Sequence, residues 1–443
     1  MKKCIILLCI LMFTGCSFYQ IYHEKPLASI NFSDDSSFEK TTYTGTNAFV
    51  KDMRMRVFDG ITPTEAAILA ILYNPTLKAV RKECDLAQAQ VVDAWILPNP
   101  VVVSSIEPAY EKSEDEKQVD YGIGIEWEVT SIVPLVPRVR AAYAQKESVR
   151  LNVAWLELQT AKEAKQKIYK ILSLEEQKIF AEETVNILKS AYADMLKAKE
   201  AEEITAVDLA NMEIEVIGAQ NTLQDLEQEI TLERIDLQNF LGMGHETEIH
   251  LENDEKLPLN FSVVNAQLSG ILKNIASNRY DLLALEKMYE SQEQTYRSEI
   301  YGQLPATSVG AIHHRDSFEV AISMDLPVFD RNQGAIATEK ANREKMFYEY
   351  HEQLLAAKAE VMKTMSSINA AYRKLASAEK LDAIHTKLVE THQTALNEKE
   401  IDVLEYNEVK IASLEQKIEL SAAKEELASL LVELEYISGM PIN

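Results

Sequence analysis

Seven carboxylates crowd two short stretches of the chain. Glu202, Glu203 and Asp208 fall in one, and Glu398, Glu400, Asp402 and Glu405 in the other. Carboxylates at this density draw cations and repel anions, which is electrostatic work rather than bond-making. The alternative is a pair of ordinary solvated helix ends. His313-His314 is the other candidate, as a metal-binding pair. It falls in a short connection between two strand-like runs, so an exposed surface loop is the simpler expectation, and neighbours on a strand point to opposite faces. No Ser/His/Asp order, Gly-rich phosphate loop or metal-ligand spacing stands out. The sequence therefore implies no enzyme, no cofactor and no metal site.

The elements around these acids are unusually long. The chain has 443 residues, yet only 13 are Gly and 12 Pro. So few breakers argue against turn-rich all-β folds and Gly-rich nucleotide folds. After Pro134 and Pro137 a helical pattern runs from about 138 to 199, and a second from about 335 to 396. At ~1.5 Å per residue each reaches roughly 90 Å. Both stop at the acidic stretches and resume as helices over about 206–240 and 403–437. Earlier, Thr62-Pro63-Thr64-Glu65 combines an N-cap, a proline at the first helical position and an early acid. That helix breaks at Asn74-Pro75 and resumes to about Trp95. A further helix is expected over about 264–301.

Four short runs read as strands, at about 101–106, 121–129, 307–312 and 318–326. Tyr121, Ile123, Ile125, Trp127 and Val129 alternate with Gly122, Gly124, Glu126 and Glu128. Phe318, Val320, Ile322, Met324 and Leu326 alternate in the same way. The chain thus divides into halves, 61–257 and 258–443, with one plan: helix, Leu-Pro, two strands, Pro, long helix, helix, Gly-Met. Residues 204–243 align without a gap on 401–440, with Gly242-Met243 on Gly439-Met440. Along the first half's last helix, Ile214, Ile217, Leu223, Leu226, Ile230, Leu237 and Leu241 have coiled-coil-like spacing.

The N-terminus is read as an export leader over residues 1–15. Lys2 and Lys3 precede an apolar run from Cys4 to Phe13, too short to span a membrane. Phe13-Thr14-Gly15-Cys16 resembles the bacterial lipobox, with Phe where Leu is usual. Cys16 is then the lipidated first residue of a tail over 16–60, and Ser17 after it implies the outer membrane. Cys4 and Cys9 leave with the leader, and Cys16 and Cys84 cannot form an internal disulfide once Cys16 is capped. A net charge of −25 argues against nucleic acid as a partner.

Strands of this length cross a bilayer when tilted, but an open sheet edge in lipid costs several kcal/mol per unpaired group. Four strands cannot close a barrel, so several copies must share one.

Taken together, Thr64-Glu65-Ala66 with Asn74-Pro75-Thr76-Leu77, Leu97-Pro98-Asn99-Pro100, Asn278-Arg279-Tyr280-Asp281-Leu282, the run from Asp325 to Gly334 (DLPVFDRNQG) and the closing Gly439-Met440 resemble the outer-membrane efflux proteins, the TolC-like channels. The resemblance spans about residues 60–443, and the run from Pro327 to Gly334 is similar to the heavy-metal and multidrug branch. It implies a mainly α fold with a small β part. Long antiparallel helices would form a periplasmic tunnel, and four transmembrane strands per chain would complete a 12-stranded barrel in a homotrimer. It also implies a periplasmic adaptor and an inner-membrane pump as partners, since nothing here binds nucleotide. Many members have Gly in the two tip turns, where this chain has 199–205 and 397–402 without one. Asp208 and Asp402, just past those turns, are the foremost pore candidates. Two rival readings are a duct for type I protein secretion and a lipid-anchored coiled-coil scaffold without a pore.

Overall fold

A computed structural model describes residues 60–107, 120–201, 204–244, 249–252, 261–315 and 317–440. The leader, Cys16, most of the acidic loop after the first strand, Glu202, Glu203 and the junction at Pro258 lie outside them.

Each element begins where its local chemistry dictates. Helix α1 (Pro63–Tyr73) opens on Thr62, whose hydroxyl accepts from the Glu65 N–H while the Glu65 carboxylate accepts from the Thr62 N–H. This reciprocal capping box satisfies two donors that a helix start leaves bare. Asn74 ends α1 and caps α2 (Pro75–Trp95), accepting from the Leu77 N–H at 2.9 Å. Its amide also donates to the Phe240 carbonyl at 2.8 Å, fixing the bend to a distant helix. Strands β1 (Val101–Glu107) and β2 (Asp120–Glu128) follow, and a short 3-10 turn leads into α3 (Leu135–Glu200). Helix α4 (Ala206–Phe240) returns along it.

The second half proceeds through α5 (Phe261–Asn278), α6 (Tyr280–Tyr301), β3 (Thr307–His313), β4 (Phe318–Met324), α7 (Gln333–Asn397) and α8 (Val403–Ser438). The 264–301 expectation needs correction, because the single helix is two. The break falls at Arg279, whose backbone is extended. Its guanidinium is pulled into a buried site, where it donates to Glu360 Oε2 at 2.6 Å and lies 4.7 Å above the Trp155 ring. Trp155 in turn stacks on Tyr436 of α8 at 4.3 Å. The strand ends also shift slightly: β2 stops at Glu128 and β4 at Met324.

The long helices pack side by side, with α1 and α5 packed against them. Nearest the sheet the order is α2, α3, α6, α7, and farther away it is α4, α3, α8, α7. Among the described residues two large apolar clusters hold these helices, and a small third one, Tyr169 with Ala428 and Val432, joins α3 to α8 between them. One large cluster joins α1, α3 and α4 around Ile168, Ile171, Leu237 and Leu241. The other joins α5, α7 and α8 around Ile275, Ile368, Leu427 and Leu434. Small residues let the central helices approach closely: Ser148 Oγ donates to the Ala284 carbonyl at 2.8 Å, and Ser291 Oγ to the Ala141 carbonyl at 2.9 Å. The regular seam expected along α4 is buried only at its end. Leu237 and Leu241 are enclosed, whereas Ile214 and Ile217 are exposed, because α4 is an outer helix there.

Candidate functional site

The four strands form one antiparallel sheet in the order β1-β2-β3-β4. That order repeats the helix order α2, α3, α6, α7, since each strand continues the helix that precedes or follows it. The sheet therefore extends the helix layer edge to edge.

Register places every large apolar side chain of β2 and β4 on one face. Ile125 lies opposite Val102 and Ala311, Trp127 opposite Val309, and Ile322 opposite Val309. This face is bare: Ile106 is 75% and Ile322 71% exposed. Tyr121 and Trp127 stand at its two ends, six residues or ~20 Å apart. Trp127 Nε1 donates to the Pro98 carbonyl at 2.8 Å, tying the sheet to the end of α2.

The opposite face is mostly small and polar. It presents Ser105, Gly122, Gly124, Glu126, Ser308, Gly310, Glu319 and Ser323, with Val101, Val103 and Ile312 among them. Ser323 Oγ donates to Glu126 Oε1 at 2.7 Å across the sheet. The exposed-loop expectation for the histidines is half wrong. His313 ends β3 on the apolar face, but His314 is only 7% exposed. It folds over Gly122 with its Nε2 3.1 Å from Glu319 Oε2. The register decides this, because consecutive residues must take opposite faces.

A sheet with one greasy bare face, one polar face and unpaired outer strands β1 and β4 suits the boundary between lipid and water. Among the described residues no helix is long and apolar enough to cross a membrane, and no three His, Cys, Asp or Glu side chains converge to hold a metal ion.

The described acidic candidates, Asp208, Glu398, Glu400, Asp402 and Glu405, sit at the far ends of α3 and α7, about 100 Å from the sheet at 1.5 Å per residue. Their roles differ. Asp208 completes a capping box: Thr205 Oγ1 and N–H donate to its carboxylate at 2.6 and 3.0 Å, and its own N–H donates back at 3.2 Å. The Thr205 hydroxyl, then its N–H, hold the Asp208 carboxyl below the usual carboxylate range. Asp402 caps α8, accepting from the Glu405 N–H at 2.8 Å. Glu398 ends α7, and Glu400 joins the turn by donating its N–H to the Ala395 carbonyl at 2.9 Å. Between them Lys399 takes a left-handed backbone, φ 63°, where glycine would be at ease. The Thr205-x-x-Asp208 spacing was the visible signal for the first cap. Cys84 is half-buried, and that burial, with Asp85 beside it, raises its thiol.

Sequence comparison gives no match to a protein-family model or to any curated protein. Structure comparison does match. A membrane protein from Pseudomonas aeruginosa superposes with a TM-score of 0.72 at 14% identity, over 85% of this chain and 92% of that one. The outer-membrane channel OprN gives 0.70 at 15% identity, over 87% and 92%. The Campylobacter jejuni CmeC outer membrane channel gives 0.70 at 14% identity, over 87% of each. The chain has the fold of these outer-membrane channels.

Proposed function

From that fold we propose that the chain is one protomer of an outer-membrane channel in a tripartite efflux system. Three copies join their four-stranded sheets into a 12-stranded barrel, and the helix layers continue it as a periplasmic tunnel. Small solutes, drugs or metal cations, pass through without chemistry. An inner-membrane pump supplies the energy, and a periplasmic adaptor packs on the turns after α3 and α7.

The observation that carries this reading is the sheet, with its bare apolar face, its mostly small and polar opposite face and two open edges, in line with the long helices packed side by side. Two internal halves fit the same picture. Each has a helix break packed on a C-terminal glycine, Asn74 by Gly242 and Arg279 by Gly439. Ile214 and Ile217, bare on α4, are then covered by the next copy. Acidic residues of the tip turns form rings of three that favour cations. Cys16 carries the lipid that holds the N-terminus in the membrane.

Purification in detergent tests the core of the reading. A particle of three chains, each 50.0 kDa less its leader, that conducts ions in a planar bilayer is expected. A monomer, or an assembly that never conducts, would refute it. Labelling with radioactive palmitate tests the anchor, since Cys16→Ser should abolish incorporation.

A further inference from the structure

The two edges of the layer carry bare apolar side chains at the same level, where strands meet helices. On one edge α2 ends in Val92, Trp95 and Ile96, exposed by 57%, 55% and 58%. On the other, the β4–α7 connection carries Leu326, Val328 and Phe329, exposed by 75%, 63% and 92%. Both segments are fixed. Trp127 holds the first through Pro98, and Asn332 Nδ2 anchors the second by donating to the Glu299 carbonyl at 2.8 Å.

The strands dictate what meets what. β1 runs away from the helices and β4 toward them, so β4 of one copy beside β1 of the next continues the antiparallel pattern of the sheet. Neighbouring strands lie ~4.8 Å apart. Phe329 comes five residues after Met324, the last of β4, and Trp95 six residues before Val101, the first of β1. The two connections must then leave the shared sheet side by side. Charge agrees: exposed Asp93 lies between Val92 and Trp95, and exposed Arg331 follows Phe329 by two residues.

We infer that Phe329 of one copy seats against Val92, Trp95 and Ile96 of the next, with Arg331 facing Asp93 of that copy, as an interlock at the junction of barrel and tunnel. The contact joins one edge to the opposite edge, so repetition closes a ring of three when each copy turns by a third of a circle. The inference rests on the trimeric reading and names its partner surface as a second copy of this chain, in preference to lipid.

Cysteine trapping tests it. A chain carrying both Trp95→Cys and Phe329→Cys, oxidised as the assembled trimer, should give covalent dimers and trimers on a denaturing gel, and neither single variant should. A charge exchange covers the case in which the cysteines disturb assembly. Asp93→Arg or Arg331→Asp alone should lower the temperature at which the detergent-purified trimer dissociates, and the two together should restore it. A trimer of normal mass with no trapping and no restoration overturns the interlock while leaving the channel intact. Strong quenching of a Phe329→Trp variant by brominated phospholipids would also overturn it, by placing that residue in the bilayer. Failure of the unaltered chain to form trimers would instead remove the reading beneath it.

Discussion

Arg279 grips Asp281 by two parallel hydrogen bonds, Nε to Oδ1 at 3.0 Å and Nη2 to Oδ2 at 2.8 Å. Arg279 is 3% exposed, so its charge is desolvated and depends on these partners and on Glu360. Hydrogen bonds to the two carboxylates outweigh burial and raise the guanidinium's already high pKa. Removing Arg279 strands the acids it serves. Arg279→Ala should cost about 3–5 kcal/mol, the usual penalty for breaking a buried pair. Arg279→Lys should recover only part, because an ammonium cannot make the two-point contact. Chemical denaturation of the purified protein reads both.

Backbone conformation supplies a pair of opposite effects. Gly439 has φ 64°, and a Cβ there would fall 2.5 Å from the Asn278 carbonyl oxygen. Gly439→Ala should therefore destabilise by about 1–3 kcal/mol through left-handed strain and the clash. Lys399 has nearly the same φ but carries a side chain, so Lys399→Gly should stabilise the tip turn by up to about 1 kcal/mol. Thermal unfolding of the two variants should move in opposite directions.

The two faces of β4 predict different phenotypes for neighbouring residues. Ile322→Arg places a cation on the apolar face and should cost about 2–4 kcal/mol if that face meets mid-bilayer lipid. The variant should be depleted from the outer-membrane fraction. Ala321→Arg points the other way, so it should insert normally and change single-channel conductance. Equal behaviour of the two would contradict the assignment of faces.

Asp208 and Asp402 bear both a cap and a charge. Asparagine caps about as well as aspartate at Asp402, and at Asp208 its side-chain oxygen can still accept from the Thr205 N–H, so the double Asp208→Asn, Asp402→Asn variant should keep both helices, with the α4 start weakened, while losing two charges per chain. Cation preference should fall, and an unchanged reversal potential would end the idea that they act on permeating ions. The pH dependence follows from the sign of the Asp208 shift. Its carboxyl is lowered in the folded state, so its stabilisation is complete above the ordinary aspartate value near 4 and disappears as pH falls through the lower folded value. Amide exchange at the start of α4 should thus differ between Asp208→Asn and the unaltered chain at neutral pH and converge in acid.

Much of this fold was legible because its signals are local. Pro75 announced the first helix break, Pro134 and Pro137 the start of the long helix, and strict alternation the two faces of β2 and β4. The break at Arg279 was hidden, although the surrounding motif drew notice, because no proline or glycine marks it. Its cause is tertiary: a guanidinium recruited by Asp281 and Glu360, beside a helix end at Gly439. The acids near the tip were visible as charge; the Thr205-x-x-Asp208 spacing signalled one cap, but that of Asp402 required the turn geometry. His314 went astray for the same reason, since its burial depends on register across β2 and β3.

Strands β2 and β3 pair along their length, with Glu128 opposite Ser308, though all of α3 to α6 intervenes in sequence. A ladder between such distant segments pays a large loop-closure cost unless the intervening helices have already packed. Synthesis delivers the greasy β1–β2 hairpin long before its neighbour exists. Under the proposed membrane reading, the helices pack first and the four strands join last, which keeps the greasy hairpin waiting on its neighbour.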